Sequence, residues 1–185
     1  MIYVFDTCAL IEIREYYLRS TGLFKHFWGW LLGLMHTRRI IIPDAVYQEL
    51  QSKKLSSSQT QAAPAEGKKD AFFKILVAEG IPPLEEDAAI KTQAKVLNAA
   101  LSRFTSGLSE EDGVIIATAK ALGATLVTAE NPQENLPPEG SSTPYRMPGA
   151  CKLPEVNVKC VGIKGFMKEI AKERRERRCR PNELL

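Results

Sequence analysis

The sequence predicts an α/β protein built around a mainly parallel sheet. Short apolar runs rich in β-forming residues alternate with helical stretches along the chain, and acidic residues follow the first and third of these runs closely. A continuous apolar run suits a strand that is covered on both faces, as strands of parallel sheets are. Strands that alternate with helices in this way are typical of α/β domains.

Length and composition indicate one globular domain. The chain has 185 residues, of which 44% are hydrophobic and 25% charged, so it can bury a core without disulfide or metal staples. The formal net charge is only +3, which excludes a protein that binds nucleic acid through its overall charge. We predict a domain at 1–170 and a basic C-terminal tail at 171–185, where the run 172–180 holds six cations and two anions. A solvated terminal helix is the alternative for that run.

The first quarter of the chain contains two predicted strands. Residues 2–5 form the first apolar run, and 39–42 (RIII) form the second. Between them, 9–36 is helical, with a break expected near Gly22, and Pro43-Asp44 starts the next helix.

The middle of the chain begins with a polar segment. Residues 51–69 are rich in Ser, Gln, Ala and Lys, which predicts a polar insertion or flexible connection. A helix at 70–79, a short strand at 81–84 weakened by two prolines, and a helix over 85–104 follow.

The last part of the chain repeats the alternation. A helix at 109–122, with Ser109 as N-cap, ends at Gly123, and 124–128 (ATLVT) is a clear strand. Residues 131–157 hold six prolines and predict a long loop. A strand at 158–163 and a helix from Gly165 complete the chain.

The cysteines and the apolar stretches bear on the cellular location. The four cysteines have no CxxC spacing and no secretory leader precedes them, so we expect reduced thiols in a cytoplasmic protein. Zinc is disfavoured, because the only histidines, His26 and His36, are distant in sequence from Cys151 and Cys160. The most hydrophobic stretch, 23–35, is too short to span a bilayer, so no membrane partner is expected.

Four acidic residues are predicted to lie at the edge of the sheet where α/β proteins bind ligands. In such sheets ligands bind beyond the carboxyl ends of the strands. Asp6 follows the first strand at once, and Glu130 follows the strand ending at Thr128 by two residues. Glu49 lies in the helix after the second strand, and Asp112 lies in the first turn of the helix before 124–128. Hard oxygen ligands of this kind suit Mg²⁺ or Mn²⁺, whereas converging acids without a cation would repel one another.

Each acid also has a purely structural interpretation. Asp6 could cap the following helix, and Glu49 could be an exposed helix residue. The segment S109-E-E-D112 has capping-box spacing, and Glu130 could be a polar loop residue. Spacing alone therefore leaves the metal site as one of two alternatives.

The segments that carry these acids resemble a known family. VFDTC at 4–8, PDAVYQEL at 43–50, LSEEDGVIIATAKALGA at 108–124 and TLVTAEN at 125–131 occur in the order found in PIN domains. Within that superfamily the chain is most similar to a little-characterised prokaryotic PIN-like group, whose members share a Pro-Cys segment before the last strand. MPGAC at 147–151 and VKCVGIKGFM at 158–167 correspond to that segment.

The resemblance implies a three-layer α/β/α sandwich with Mg²⁺- or Mn²⁺-dependent endoribonuclease activity, as in VapC-like toxins of toxin–antitoxin pairs. It implies catalytic and metal-binding roles for Asp6, Glu49, Asp112 and Glu130, with Thr7 and Thr128 in support. Two departures are Glu130, where Asp is frequent, and Gly113, where a larger residue or Pro is common.

Partners follow from the same interpretation. RNA would be held through its phosphates by basic residues, for which the candidates are Lys53, Lys54, Arg174, Arg175, Arg177 and Arg178. An antitoxin protein is a further expected partner. An apolar helical stripe on residues 24–35 is expected to be core, and could otherwise meet an antitoxin helix or a second subunit in a homodimer. The alternatives to a ribonuclease are a catalytically weak PIN fold that binds RNA or protein, and a metal phosphoesterase acting on DNA or a nucleotide.

Overall fold

The structure is a computed structural model that describes residues 1–19, 22–51, 63–102, 108–133, 135, 138 and 145–179. At 63–70, 101–102 and 177–179 only the backbone is described. The strands are β1 (Tyr3–Phe5), β2 (Ile40–Ile41), β3 (Thr125–Val127) and β4 (Cys160–Val161). The helices are α1 (Thr7–Tyr16), α2 (Lys25–His36), α3 (Asp44–Gln51), α4 (Ala63–Ala78), α5 (Ala88–Ser102), α6 (Glu110–Ala121), α7 (Met147–Ala150) and α8 (Ile163–Cys179).

The four strands form one parallel sheet in the order β2-β1-β3-β4. Val4 pairs with Ile41 on one side and with Leu126 on the other, and Leu126 pairs with Cys160. Parallel pairing places the carboxyl ends of β1 and β3 side by side, which brings the residues that follow them to one edge of the sheet. We call this edge the carboxyl edge and the opposite one the amino edge.

Helices cover the sheet on both faces. Tyr3 and Phe5 meet Phe166 of α8 edge-on, with ring centroids 4.9 and 5.0 Å apart, and Trp30 of α2 lies 6.0 Å from Phe166. Val4 points to the other face, because side chains alternate along a strand. Helix α6 lies against β1 and β3, and α5 packs on α6. The predicted α/β/α sandwich with a parallel sheet is confirmed.

The hydrophobic helix α2 belongs to the core. Trp28, Leu31, Leu34 and Met35 are buried, and Trp28 donates its indole N–H to the carbonyl of Tyr17 at 2.6 Å. The core interpretation of this stripe is therefore confirmed, and its buried residues are not available to a second subunit. Among the described residues, no helix is long and apolar enough to span a bilayer.

Local signals fix several helix ends as predicted. Gly22 has φ of +68°, a left-handed conformation that favours glycine, and it separates α1 from α2. Ser109 caps α6 by accepting the N–H of Asp112 at 3.0 Å. Gly123, with φ of +57°, ends the same helix and turns the chain into β3.

The predicted strand at 81–84 is wrong. This segment is reduced to an isolated bridge in which Leu84 donates to the carbonyl of Ile42 at 2.7 Å and accepts the N–H of Asp44 at 2.9 Å. Pro82 and Pro83 have no N–H with which to extend a ladder.

Other boundaries also differ from those predicted. Helix α4 begins at Ala63, so part of the polar insertion is helical, while residues 52–62 lie outside the described part of the chain. The loop at 131–157 contains the short helix α7, which begins with a proline in its first turn. The strand predicted at 158–163 is limited to two residues, and α8 runs on to Cys179 through most of the region predicted as a tail.

Candidate active site

Asp6 lies at the carboxyl edge and is only 4% exposed. Its N–H donates to the carbonyl of Val127 at 3.0 Å, which continues the pairing of β1 with β3 by one residue. Its Oδ1 accepts the N–H of Cys8 at 3.4 Å, so Asp6 is also the N-cap of α1. The capping interpretation and the site interpretation therefore hold together for this residue.

The other carboxylate oxygen of Asp6 is held by two side chains. Thr128 donates its hydroxyl to Oδ2 at 2.7 Å, and the thiol of Cys8 donates to the same oxygen. The Oγ1 of Thr128 also accepts the N–H of Glu130 at 3.1 Å. Thr128 thus joins the first acid of the site to the backbone of the fourth, as a supporting residue would.

Cys8 is a member of this group that sequence reasoning missed. Its sulfur accepts the N–H of Ala129 at 3.3 Å and lies 3.2 Å from the hydroxyl of Thr128. Burial and the charge of Asp6 raise the pKa of Cys8 to about 12, so it is a neutral donor. Its position two residues after Asp6, in the first turn of α1, was the available signal.

Glu49 reaches the same edge from α3. Thr7 donates its hydroxyl to Oε2 of Glu49 at 2.6 Å, and Thr7 is buried directly after Asp6. The charge of Glu49 lies near enough to raise the pKa of both Asp6 and Asp112. The tertiary structure therefore places Thr7 and Glu49 in contact, although they are more than forty positions apart in sequence.

Asp112 is both a capping residue and a neighbour of the other acids. Its carboxylate interacts with the backbone and the side chain of Ser109, which completes the reciprocal capping box. Gly113 lets Asn98 of α5 pack closely against α6, because a Cβ at position 113 would overlap the Asn98 amide. Tight packing between α5 and α6 is thus the physical reason for the small residue after Asp112.

Glu130 faces the site from the segment after β3. Its Oε2 accepts the N–H of Met147 at 2.7 Å, so the start of α7 fixes the side chain. Burial, with the charges of Asp112 and Asp6, raises the pKa of Glu130 and outweighs the hydrogen bond from Met147 and the charge of Arg146, which lower it.

Electrostatics show that the acids act on one another. Burial is the largest cause that raises the pKa of Asp6, and hydrogen bonds from Cys8 and Thr128 oppose it. Burial also raises the pKa of Asp112, with further contributions from the charges of Asp6 and Glu49. Asp6, Glu49, Asp112 and Glu130, which we call the acid site, therefore create one region of negative potential.

The donor set of the acid site suits a hard divalent cation, since all four side chains offer carboxylate oxygens. Burial is the main cause of the raised pKa values of Asp6, Asp112 and Glu130, and a cation would offset the mutual repulsion that adds to it. As placed, however, no three His, Cys, Asp or Glu side chains among the described residues form a group that could hold a metal ion. Hydrogen bonds from Thr7, Cys8, Thr128 and Met147 hold the oxygens of three of these acids. Binding a cation would require some of these carboxylates to reorient.

The predicted basic contacts are not brought to the acid site where they are described. Helix α8 starts at the carboxyl edge but runs to the amino edge, where Glu173 pairs with Arg39 just before β2. Arg174 lies over the Trp30 ring, 5.4 Å from its centroid, and Arg175 follows it on the same helix. Lys53 and Lys54 lie outside the described residues, as do the side chains of Arg177 and Arg178.

Comparison with known proteins gives the fold and the family. No curated protein matches the sequence. One solved structure, described as VapBC2 from Rickettsia felis bound to a DNA fragment from its promoter, contains a chain with TM-score 0.52 to this one. The two chains are 17% identical, and the likeness covers 88% of this chain and 98% of the other. This likeness confirms the PIN-like fold. Because a family described as "Domain of unknown function (DUF4411)" matches residues 3–173, the chain belongs to that family.

Proposed function

We propose that this protein is a divalent-metal-dependent endoribonuclease of the VapC kind. One observation carries the proposal: acids from four separate elements meet at the carboxyl edge, and three of them have pKa values raised by burial and by one another's charge. A chain gains no stability from such an arrangement by itself. In this proposal the four acids lie together because they bind a cation.

The acids have distinct roles in this proposal. Asp6, Glu49 and Asp112 would hold Mg²⁺ or Mn²⁺, which when bound neutralises charge that develops on the scissile phosphate. Glu130, one methylene longer than Asp, would orient the attacking water from the side where Met147 fixes it. Thr128 and Cys8 keep Asp6 in place, and Thr7 does the same for Glu49.

The substrate in this proposal is single-stranded or looped RNA, whose bases are accessible. Arg174 and Arg175 lie toward the amino edge, so their role would be general attraction of phosphates rather than contact at the scissile bond. Lys53 and Lys54, which lie outside the described residues, remain candidates for phosphate contacts.

An antitoxin partner is part of the proposal. The similar structure is described as VapBC2 bound to a DNA fragment, and this likeness to a VapBC complex supports an antitoxin partner here. The described surface has exposed apolar side chains near the end of α1 and the start of α2, namely Tyr16 (69% exposed), Leu18 (44%) and Leu23 (79%).

A homodimer is proposed as well. Light scattering measures the mass in solution, and a monomer mass at high concentration would contradict the homodimer.

The decisive experiment is cleavage of single-stranded RNA by the purified chain with Mn²⁺ or Mg²⁺. We expect cleavage that EDTA removes and that Asp6→Asn abolishes while the fold is kept, because the amide still accepts a hydrogen bond from Thr128. Glu169→Gln, at the amino edge, is the matched control and should cleave like the wild type. Parallel assays with single-stranded DNA and a small phosphodiester distinguish a different phosphoesterase. RNA left intact with every cation would refute the proposal.

A binding module is the second candidate. It is favoured by the absence of a ready group of metal ligands among the described residues and by the hydrogen bonds that hold the acids. RNA binding that is unchanged in Asp6→Asn, with no cleavage by the wild type, would support this candidate over the nuclease.

A further inference from the structure

A pocket of about 420 Å³ opens beside the acid site at the carboxyl ends of β3 and β4. Glu130 belongs to both, and Thr128, which donates to Asp6, also lines the pocket, so the pocket and the acid site are contiguous. The rest of the lining has a mainly apolar surface and consists of Pro132, Pro148, Cys151, Val158, Cys160, Val161 and Gly162, together with Lys152, Asn157 and Lys159. We call it the β4 pocket.

The chain holds the walls of the β4 pocket in place. The segment after α7 folds back so that Val158 donates its N–H to the carbonyl of Cys151 at 3.1 Å. Asn157, which also lines the pocket, has φ of +46°, a left-handed conformation that such a reversal requires. Lys152 donates to the carbonyl of Gln133 at 3.2 Å and joins this segment to the one after β3. These contacts hold the two sides of the cavity together.

The chemistry of the walls selects against a phosphate and for a flat, largely apolar group. Lys152 and Lys159 also line the pocket, but the ammonium group of Lys152 donates to the carbonyl of Gln133 and that of Lys159 pairs with Glu169. Glu130 lies at the junction with the acid site, so an anion placed there would meet a like charge. Burial and the neighbouring Cys160 raise the pKa of Cys151, which keeps this thiol neutral. Two prolines and two valines offer apolar faces, and the volume lies within the roughly 300–1,000 Å³ typical of small-molecule pockets.

A nucleobase has the matching properties. Enzymes that act on nucleic acids read an extruded base by packing it between apolar side chains and by hydrogen bonds to its edge. The carboxylate of Glu130 would accept hydrogen bonds from an exocyclic amino group. Uracil has no such group, and its carbonyl oxygens would lie toward the carboxylate.

We propose that the β4 pocket binds the base of an RNA nucleotide adjacent to the scissile phosphate and favours adenine, guanine or cytosine over uracil. This inference rests on the proposed nuclease function, because the acid site defines which phosphate is adjacent. It adds a base preference that the four acids alone would not give.

Gly162 provides the sharpest probe of the pocket. It lines the cavity, it is exposed, and a Cβ built there would meet only the carbonyl oxygen of Thr128 at 3.8 Å, an ordinary contact. Gly162→Leu should therefore fill the pocket without disturbing the backbone, and Gly162→Ala is a milder version. Gly33→Leu is the matched control, because Gly33 is exposed on α2 and a Cβ there meets nothing within 4 Å.

The test is an NMR titration of the wild type with AMP, GMP, CMP and UMP in EDTA, which separates binding from cleavage. We expect amide shifts at Cys160, Val161 and Gly162, with UMP the weakest ligand. Gly162→Leu should weaken AMP binding about 10-fold or more, while Gly33→Leu leaves it unchanged. Alkylation of Cys160 by iodoacetamide should also block AMP, and Cys160→Ser should be insensitive to the reagent.

The outcomes separate the two proposals. Equal binding of AMP to the wild type and Gly162→Leu, or equal shifts with ribose 5-phosphate, would overturn the base pocket. Nucleotide binding that Gly162→Leu removes, in a protein that cleaves no RNA, would keep the pocket and refute the nuclease. Metal-dependent cleavage with no base preference and no effect of Gly162→Leu would keep the nuclease and overturn the pocket.

Discussion

The acidic side chains at the two edges of the sheet differ in their partners. At the amino edge, Glu173 pairs with Arg39, and Glu169 pairs with Lys159 at 2.7 Å and accepts the hydroxyl of Tyr3 at 3.4 Å. At the carboxyl edge, no ion pair between described residues involves Asp6, Asp112 or Glu130. Their nearest polar contacts are hydroxyl, thiol and backbone N–H groups.

Under the proposed function, this difference separates acids that stabilise the fold from acids that bind a cation. An acid that the chain pairs with its own cation adds to stability or costs little. Buried acids that face one another are unfavourable until a cation arrives. The acids of the amino edge are thus paired with cations of the chain, whereas Asp6, Asp112 and Glu130 form no ion pair among the described residues, and the proposed cation would fill that role.

The largest expected effect comes from removing one charge at the carboxyl edge. Asp112→Asn should lower the kcat/KM for RNA cleavage about 100-fold. A bound cation stabilises the transition state by several kcal/mol, and each loss of about 1.4 kcal/mol lowers the rate by a factor of about ten. Glu111→Gln is the matched control, since it removes the same charge from the same turn of α6 at an exposed position. Equal losses in both variants would mean that helix electrostatics, not the site, explains the result.

The next effect is stabilisation by the cation. At 100 times its dissociation constant, Mn²⁺ should stabilise the wild type by about 2.7 kcal/mol. For a chain of 185 residues each kcal/mol corresponds to a Tm shift of roughly 2–4 °C. Calorimetry with and without Mn²⁺ measures this shift. Asp6→Asn should lose most of it and Glu169→Gln none; a shift retained in Asp6→Asn would place the cation elsewhere.

A smaller effect is expected from pH in the absence of divalent cations. The pKa values of Asp6 and Asp112 are raised in the folded state, so the folded state binds protons more tightly than the unfolded state. This contribution to the free energy of unfolding is fully present below the ordinary pKa of about 4. It is lost as the pH rises through the raised pKa values. The double variant Asp6→Asn, Asp112→Asn should therefore gain in unfolding free energy relative to the wild type as the pH rises from 4 to 7.5. Urea unfolding measures the difference, and one that does not change with pH would contradict the raised pKa values.

The smallest effect concerns the amino edge. A double-mutant cycle on Arg39→Ala and Glu173→Ala should give a coupling energy of about 0.5–1 kcal/mol, as partly exposed ion pairs do. RNA cleavage should stay at the wild-type level in all three variants. A large change in cleavage would mean that the two edges are not independent.

Much of the fold was predictable because its signals are local. The apolar run at β1, the glycine between α1 and α2 and the glycine at the end of α6 each act within a few residues. The errors also have local causes. Pro82 and Pro83 prevent the strand that was predicted at 81–84. The many prolines at 131–157 led to the prediction of a loop, although Pro148 lies in the first turn of α7.

The acid site was partly predictable for the same reason. Asp6 and Glu130 follow strands, and position after a strand can be read from sequence. The role of Cys8 and the contact of Glu130 with Met147 could not be read, because they depend on how loops from distant parts of the chain fold over the edge. The placement of Arg174 at the amino edge likewise depends on the direction of α8.

By itself, the sequence determined the α/β alternation, the helix caps and the acids that follow the strands, since backbone propensity and apolar periodicity act over short distances. Only the tertiary structure decided that the acids share one edge, that Arg174 of α8 lies toward the other, and that a pocket adjoins Glu130. The parallel order β2-β1-β3-β4 brings together strand ends that are far apart in sequence, and no local signal encodes that pairing.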